Sequence, residues 1–381
     1  MKLLYDISFI TLNNLTKGIP VHSFRILQAI PYVDRQNITL LINKELQRYL
    51  TDVLKGYNYI VYPHFPNLLQ KIFNKILGKF VYKHIVDGNN FDAFIVPNEY
   101  RAITIQDFKT PKFIFSHDLK GTKEIYNSSK KKMNKRRQLY HNAIKTSNLV
   151  FAISYYTRND IHKLYPDTDM SKVFVIYNSV KIAEFSRTIE ILSSVQSFIL
   201  SVNHLDPYKN ALTTIKAFSL ISKDYLGDLV LVSKPTRYWI EECLPYIKKN
   251  NLNGRVHLLS NLSDEELRWL YEKADLFVSS SSHEGFGFTP IEAAICCCPV
   301  ICTDAEALPE TTMGLLNYYS PSTDEVLLSK KMLQILDSPP TGLQLREISN
   351  LFRQKYSPQG QVGLMKKLIS DYFNKKISNS R

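Results

Sequence analysis

The segment SSHEGFGFTPIEAAICCCPV, Ser281–Val300, sets Glu284 and Glu292 eight residues apart around Gly285 and Gly287, and closes on three consecutive cysteines. Three chemistries compete for it: anion binding, helix capping and metal ligation. The glycines permit backbone conformations and a close approach that a Cβ would block. A glycine pair between a strand and a helix start is also more specific than a lone G-x-G. The following helix is expected to open at Thr289-Pro290-Ile291-Glu292, with Pro290 in its first position and Glu292 in its third. Glu292 then has two exclusive uses, closing its own N-cap or binding a hydroxyl pair. A helix N-terminus at the carboxyl end of a strand attracts an anion such as a diphosphate, and a carboxylate one turn in suits the hydroxyls of an attached ribose.

The cysteines argue against a metal. Cys243, Cys296, Cys297, Cys298 and Cys302 make an odd count, four of them within seven residues, where neighbours cannot easily pair. Three adjacent cysteines point in divergent directions and no C-x-x-C occurs, so convergent metal ligation is not expected. They read as small apolar fillers in a chain without disulfides, which suits the cytosol.

The elements that must position these residues follow from the apolar runs. KLLYDISFI, TLLIN, YIVYP, DAFIVPN, KFIFSHD, LVFAIS and KVFVIYN, with helical segments between them, predict a parallel sheet covered on both faces. A second series, SFILSVN, DLVLVS, RVHLLS, DLFVSSS and PVICTD, predicts the same architecture again. Between them Lys181–Gln196 lacks a strand or helix signal and is expected to be the linker. The reading is therefore α/β, with one Rossmann-like domain over 1–185, a second over 186–360, and a C-terminal helix over 361–381 returning to the first. Ligands of such sheets bind beyond the strands' carboxyl ends, in a cleft if two sheets face each other. Gly18, His117, Asn203, His204 and Glu284 all follow expected strands. Ser263 and Glu266 form a capping box that fixes the helix leading into the strand before Glu284.

Composition narrows the rest. With 381 residues, 44% hydrophobic and 22% charged, the chain is expected to fold around more than one core. No small-residue cleavage site follows the N-terminal run, and no window of 18 apolar residues occurs, so neither a signal peptide nor a membrane span is expected. The net charge of +13 suits an anionic partner. Asn67–Val86 places Lys71, Lys75, Lys79 and Lys83 beside an apolar stripe, a basic amphipathic pattern clean up to Gly78. Lys130–Tyr140, KKKMNKRRQLY, is a second basic cluster. The first reads equally as a solvated face or as a membrane contact, and the two together, both in the first domain, favour an anionic surface or a pyrophosphate-linked acceptor.

The stretch LSDEELRWLYEKADLFVSSSSHEGFGFTPIEA resembles the donor-site signature of retaining glycosyltransferases of family 4, whose E-x7-E pattern matches Glu284 and Glu292. Shorter matches are TKGI (Thr16–Ile19), SHDL (Ser116–Leu119), FAISYYTRNDI (Phe151–Ile161), VIYNSV (Val175–Val180), LDPYKN (Leu205–Asn210) and ALPE (Ala307–Glu310). The resemblance implies a GT-B fold, two Rossmann-like domains facing across a cleft, with the acceptor held by the first and a nucleotide sugar by the second. It implies catalytic or donor-contacting roles for Glu284, His117 and Lys209. Donor or substrate binding is implied for Gly18, Asn203, His204, Gly285, Phe286, Gly287, Phe288, Thr289 and Glu292. Two departures stand out. Asn203-His204 replaces the family's Gly-Arg, leaving Lys209 as the main side-chain cation for the diphosphate, with His204 as assistant. Cys297 replaces a helix-terminating glycine, so the helix is expected to end differently there.

The family keeps the donor's anomeric configuration without a bound metal or cofactor, and no D-x-D pattern between strands opposes that. No second carboxylate is poised opposite Glu284, so front-face attack, with the leaving phosphate oxygen helping to take the acceptor's proton, is favoured over double displacement. The implied function is transfer of a hexosyl or deoxyhexosyl group to a glycan or polyprenyl-diphosphate-linked acceptor. Its place would be bacterial surface polysaccharide synthesis, lipopolysaccharide O-antigen or capsule, at the cytoplasmic face of the inner membrane. Two alternatives are a nucleotide-sugar epimerase on the same fold and a nucleic-acid-binding protein. The E-x7-E pattern speaks against the first, and the sparse aromatics in the basic clusters against the second.

Overall fold

A computed structural model describes all residues except 16–17, 48–53, 64–68, 70–72, 74–76, 99–107, 124–128, 190–196 and 379–381. It divides into two units, Met1–Ser179 with Pro358–Arg381, and Val180–Ser357.

In the first unit each expected apolar run forms a strand: β1 (Leu3–Asp6), β2 (Ile38–Asn43), β3 (Asn58–Tyr62), β4 (Ala93–Val96), β5 (Lys112–Ser116), β6 (Leu149–Ala152) and β7 (Val173–Val175). All pair in parallel in the order β3-β2-β1-β4-β5-β6-β7. Strands β1, β2, β4, β5 and β6 are buried at every position, as a sheet covered on both faces requires, whereas β3, at the edge, is largely open. The terminal helix Pro358–Ser378 contributes Val362, Met365 and Ile369 to the core that holds Leu3, Tyr5 and Phe24.

The second unit repeats the plan with β8 (Phe198–Val202), β9 (Asp228–Val232), β10 (Val256–Leu259), β11 (Leu276–Ser279), β12 (Val300–Thr303) and β13 (Asn317–Tyr319), ordered β10-β9-β8-β11-β12-β13. Both sheets thus wind outward in two directions from a central pair, β1 and β4 in one, β8 and β11 in the other. The carboxyl ends of such a pair open the crevice in which doubly wound sheets bind ligands.

The division of the chain differs in detail from the expected bounds. The units divide at Ser179 and Val180 rather than at 185 and 186, and the returning segment starts at Pro358 rather than 361. The first half of the expected linker is fastened to the second unit. Arg268 Nη1 donates to the carbonyls of Ala183 and Glu184, and Arg187 pairs with Glu266 at 2.9 Å. Lys71 and Lys75 lie outside the described residues, and the described helix runs from Gly78 to Gly88. The cluster at Lys130 does form a helix, Lys130–Lys145, capped by Ser129. Charge is divided unevenly: the first unit carries 31 Lys and Arg against 14 Asp and Glu, a formal +17, and the second 17 against 21, a formal −4.

Candidate functional site

In the second unit the crevice residues come from two loops that are tied to each other. After β8 the chain makes a 3-10 turn, Pro207–Lys209, ended by Asn210 in the left-handed region at φ 51°. Asn210 Nδ2 then donates to the Ser280 carbonyl at 3.0 Å. After β11, Ser282 donates through both its amide and its hydroxyl to the Tyr208 carbonyl, each at 2.9 Å. These bonds set Lys209 against Glu284, with Nζ to Oε1 at 2.5 Å, and both side chains are about seven-eighths buried. Tyr208 lies under the same ammonium, its ring centroid 5.2 Å away.

Two features were not singled out in the sequence. His283 is 97% buried and directs Nδ1 at Glu306 Oε2. The same carboxylate oxygen accepts the amide of Glu284 at 3.1 Å, and the amide of Ala307 donates to the Glu284 carbonyl at 3.3 Å. His283 was visible as the residue before Glu284. Its partner lies beyond the whole helix and β12, where no local spacing signals it.

The helix expected to open at Thr289 runs from Phe288 to Ile295, with Gly287 as N-cap at φ 83°. Gly287 is required twice over, because it has positive φ and because a Cβ there would overlap Leu308 Cδ2. Pro290 is therefore the third helical residue and Glu292 the fifth, two residues past the position a capping box uses. Glu292 instead accepts from the hydroxyl of buried Tyr271 at 3.2 Å, so the capping reading is excluded. Burial, and secondarily the Glu292 charge, push the Tyr271 phenol well above its usual range, which keeps it a donor. The first-turn amides belong to Phe288 and Thr289, and Pro290 adds none.

The remaining donor-side residues separate. Phe286 is buried against Phe288 and Tyr356, at centroid distances of 5.0 and 5.2 Å, so its side chain serves the core. Asn203 Nδ2 donates to Ser201 Oγ at 3.1 Å. His204 is exposed and turns Nδ1 to Asp206 at 3.3 Å rather than toward Lys209. Gly285 is half-buried between Glu284 and Phe286.

The expected change at the helix end does not occur. Cys297 takes φ 61°, the Cys298 amide bonds the Ala293 carbonyl, and the Cys297 amide bonds the Ala294 carbonyl, both at 3.0 Å. This is the two-bond termination a glycine would make, adopted by a residue with a Cβ. Burial pushes the Cys296 thiol up to about 12 and raises Cys298 and Cys302 further, so these sulfurs stay protonated fillers. Among the described residues no group of three or more His, Cys, Asp or Glu side chains is arranged to hold a metal.

In the first unit His117 follows β5 and is 91% buried, its Nε2 donating to the Pro97 carbonyl at 2.8 Å just past β4. That bond leaves Nδ1 as the acceptor, and desolvation lowers the ring's pKa. Buried His22 lies edge-on to it at 4.7 Å and accepts from Gln361 of the terminal helix at 3.1 Å. Gly18 opens the helix Gly18–Ala29, exposed, and a Cβ there would meet no neighbour. Thr16 and Lys17 lie outside the described residues. Two cavities, of about 580 and 280 Å³, are lined by none of the expected site residues.

The fold defines the class: the chain has the two-domain architecture of GT-B glycosyltransferases. It superposes on HepE from Anabaena, solved in complex with UDP-glucose, with a TM-score of 0.74 at 16% identity over 97% of this chain and 100% of that one. Sucrose-phosphate synthase from Thermosynechococcus elongatus gives 0.76 at 16% identity over 98% and 100%. Residues 183–350 match the family described as glycosyl transferases group 1. Two curated relatives are the O-antigen chain mannosyltransferase RfbU of Salmonella typhimurium and the O-antigen chain mannosyltransferase B of Escherichia coli. RfbU is 31% identical over 50% of this chain and 51% of its own, and the second is 26% identical over 51% and 53%. A third, from Campylobacter jejuni, is a 4-alpha-N-acetylgalactosaminyltransferase acting on a diphospho-undecaprenol-linked saccharide, 31% identical over 35% of each chain. The chain spans about half the length of the curated relatives first named.

Proposed function

We propose that the protein is a glycosyltransferase that moves a hexosyl or deoxyhexosyl group from a nucleotide sugar to a lipid-linked glycan in bacterial surface polysaccharide assembly. The observation that carries this reading is the pairing of Lys209 with Glu284 at the carboxyl ends of β8 and β11. One cation and one carboxylate meet where a doubly wound sheet receives its ligand, beside a glycine-entered helix start. In this reading Lys209 and the amides at Phe288 and Thr289 meet the diphosphate. Glu284 meets the transferred sugar and Glu292, held by Tyr271, the ribose. In the first unit His117 offers its Nδ1 acceptor, and Gly18 its uncrowded backbone, to the substrate.

The chemistry follows from charge. As the glycosidic bond breaks, negative charge grows on the leaving diphosphate, and a fixed ammonium and oriented amides stabilise it more than they stabilise the intact donor. The leaving oxygen takes the acceptor's proton on the same face, which retains the anomeric configuration and needs no bound metal. The sugar is unassigned, but mannosyltransferases among the relatives put nucleotide-linked mannose first in the test. The first unit's +17 suits a diphosphate-linked acceptor and the anionic cytoplasmic face of a membrane. Among the described residues no helix is long and apolar enough to cross one.

The test is ligand-detected binding, with chelator present, against nucleotide-linked mannose, rhamnose, glucose, galactose and N-acetylhexosamines. One donor should bind, and Glu292→Ala should weaken it by about tenfold or more, the loss of hydrogen bonds to a charged group. If no nucleotide sugar binds, or if affinity survives Glu292→Ala, the reading is wrong.

A further inference from the structure

We infer that Glu306 is a positioning residue for Glu284, a clamp that fixes the backbone of the candidate catalytic carboxylate from a segment beyond β12. The inference rests on the proposed function for its catalytic consequence, and on geometry alone for the clamp.

Glu284 sits in a segment with no regular structure of its own, yet it must present its carboxylate within a fraction of an ångström of a reacting sugar. The structure fixes that segment by bonds from outside it. Ser282 is held by Tyr208, Thr303 Oγ1 donates to the Ser281 carbonyl at 2.5 Å, and Thr311 Oγ1 to the Phe286 carbonyl at 2.6 Å. At Glu284 itself both backbone groups are engaged, the amide by Glu306 Oε2 and the carbonyl by the Ala307 amide. A single turn thus grips both faces of one peptide neighbourhood.

Glu306 occupies a costly position for this task. Its φ is 52°, in the left-handed region that disfavours residues with a Cβ. Its side chain is about seven-eighths buried in a region that already contains the Glu284 carboxylate. A second partly buried carboxylate there needs a compensating partner, and His283 supplies it: Nδ1 lies directly against Oε2, a contact that is attractive with the proton on Nδ1. Backbone strain, a buried imidazole and a backbone amide all converge on one oxygen, and the group they hold in place is Glu284. Strain kept at a position that orients a candidate catalytic group is the pattern expected of pre-organisation.

The experiment compares Glu306→Gly with Glu306→Gln. Glycine removes the carboxylate half of the clamp and leaves the Ala307 bond, and the strain relieved at positive φ offsets part of the cost of leaving the His283 ring and the Glu284 amide without that oxygen. Its Tm should stay within about 5 °C of the parent's. Glutamine keeps an acceptor oxygen at the same reach. Hydrogen exchange of the 281–287 segment, read without any substrate, should lose protection in Glu306→Gly and regain it in Glu306→Gln. With the donor that the binding panel selects, kcat should fall about a hundredfold in Glu306→Gly, the cost of misplacing a reacting group by about 1 Å. The KM for donor should stay within about threefold of the parent's, and Glu306→Gln should restore most of kcat. Unchanged exchange in Glu306→Gly overturns the clamp. Lost protection with kcat within about threefold of the parent overturns its role in positioning. Lost protection in a protein that turns over no donor leaves the clamp standing and removes the transferase reading instead.

Discussion

The Lys209–Glu284 pair makes a prediction of unusual sign. The ammonium that is to meet the diphosphate is already bonded to a carboxylate, Nζ to Oε1 at 2.5 Å with both groups mostly out of water. A diphosphate entering the site must share or displace that contact. Unit charges about 4 Å apart interact by roughly 4 kcal/mol at an effective dielectric of 20, and desolvation offsets much of this. A charged hydrogen bond retains a net of about 1.5–3 kcal/mol. Glu284→Gln removes the competing charge at nearly constant shape. It should therefore tighten binding of the nucleoside diphosphate about tenfold or more, while transfer of the sugar falls. Titration calorimetry with the nucleoside diphosphate on the parent, Glu284→Gln, Lys209→Met and the double variant closes a cycle. The gain should vanish in the double variant. Unchanged or weaker binding in Glu284→Gln would show that Lys209 serves both anions through separate protons, and the competition argument would fail.

Four further outcomes are expected. Lys209→Ala should lower turnover at least about a hundredfold, because His204 is turned to Asp206 and gives no second cation, and His204→Arg should recover part of the loss. Turnover within about threefold of the parent would mean the diphosphate is held elsewhere. Cys297→Gly should raise stability by about 0.5–1 kcal/mol in denaturant titration by relieving φ 61°, and a loss of stability would refute the assigned strain. His22 is buried beside His117 and Arg25, and its pKa is lowered well below 6.5 chiefly by desolvation. The unfolded chain therefore binds its proton first, and stability should fall as pH drops below 6.5. His22→Gln should reduce that slope by about 1.4 kcal/mol per pH unit, and an unaltered slope would exclude the assignment. Anionic vesicles should bind the protein and release it as salt shortens the screening length below about 8 Å. Glutamine at Lys71, Lys75, Lys130, Lys131 and Lys132 should remove most of this binding, and equal binding to neutral vesicles would identify a merely solvated face.

What could be read from the sequence was what local pattern determines. The expected strands appear because a sheet covered on both faces needs continuous apolar runs. β13 was missed because Asn317–Tyr319 has three residues, the first exposed, at a sheet edge. The start of the helix at Phe288 was misplaced because proline usually marks a first turn, whereas here Gly287 enters the helix under Leu308, a contact from the next loop. Lys181–Ile189 looked like a free linker because its anchors, Arg268 and Glu266, lie about 80 residues on.

The same division runs through the site. Glu284, Glu292 and Lys209 were found by their place after strands, which the sheet's topology dictates. Their actual partners, Glu306, Tyr271 and each other, come from separate elements of the chain and left no spacing to read. This has a consequence for charge. Glu284 and Glu306 bring two carboxylates to one end of a unit whose formal charge, theirs included, is −4, and Lys209 and the His283 proton are the groups set against them. A dianionic diphosphate entering there gains little from the unit as a whole and must depend on the few donors aimed at it. Its affinity should therefore respond steeply to single substitutions at Lys209 and weakly to distant surface charge, which places the energetics of the donor in the two tied loops after β8 and β11.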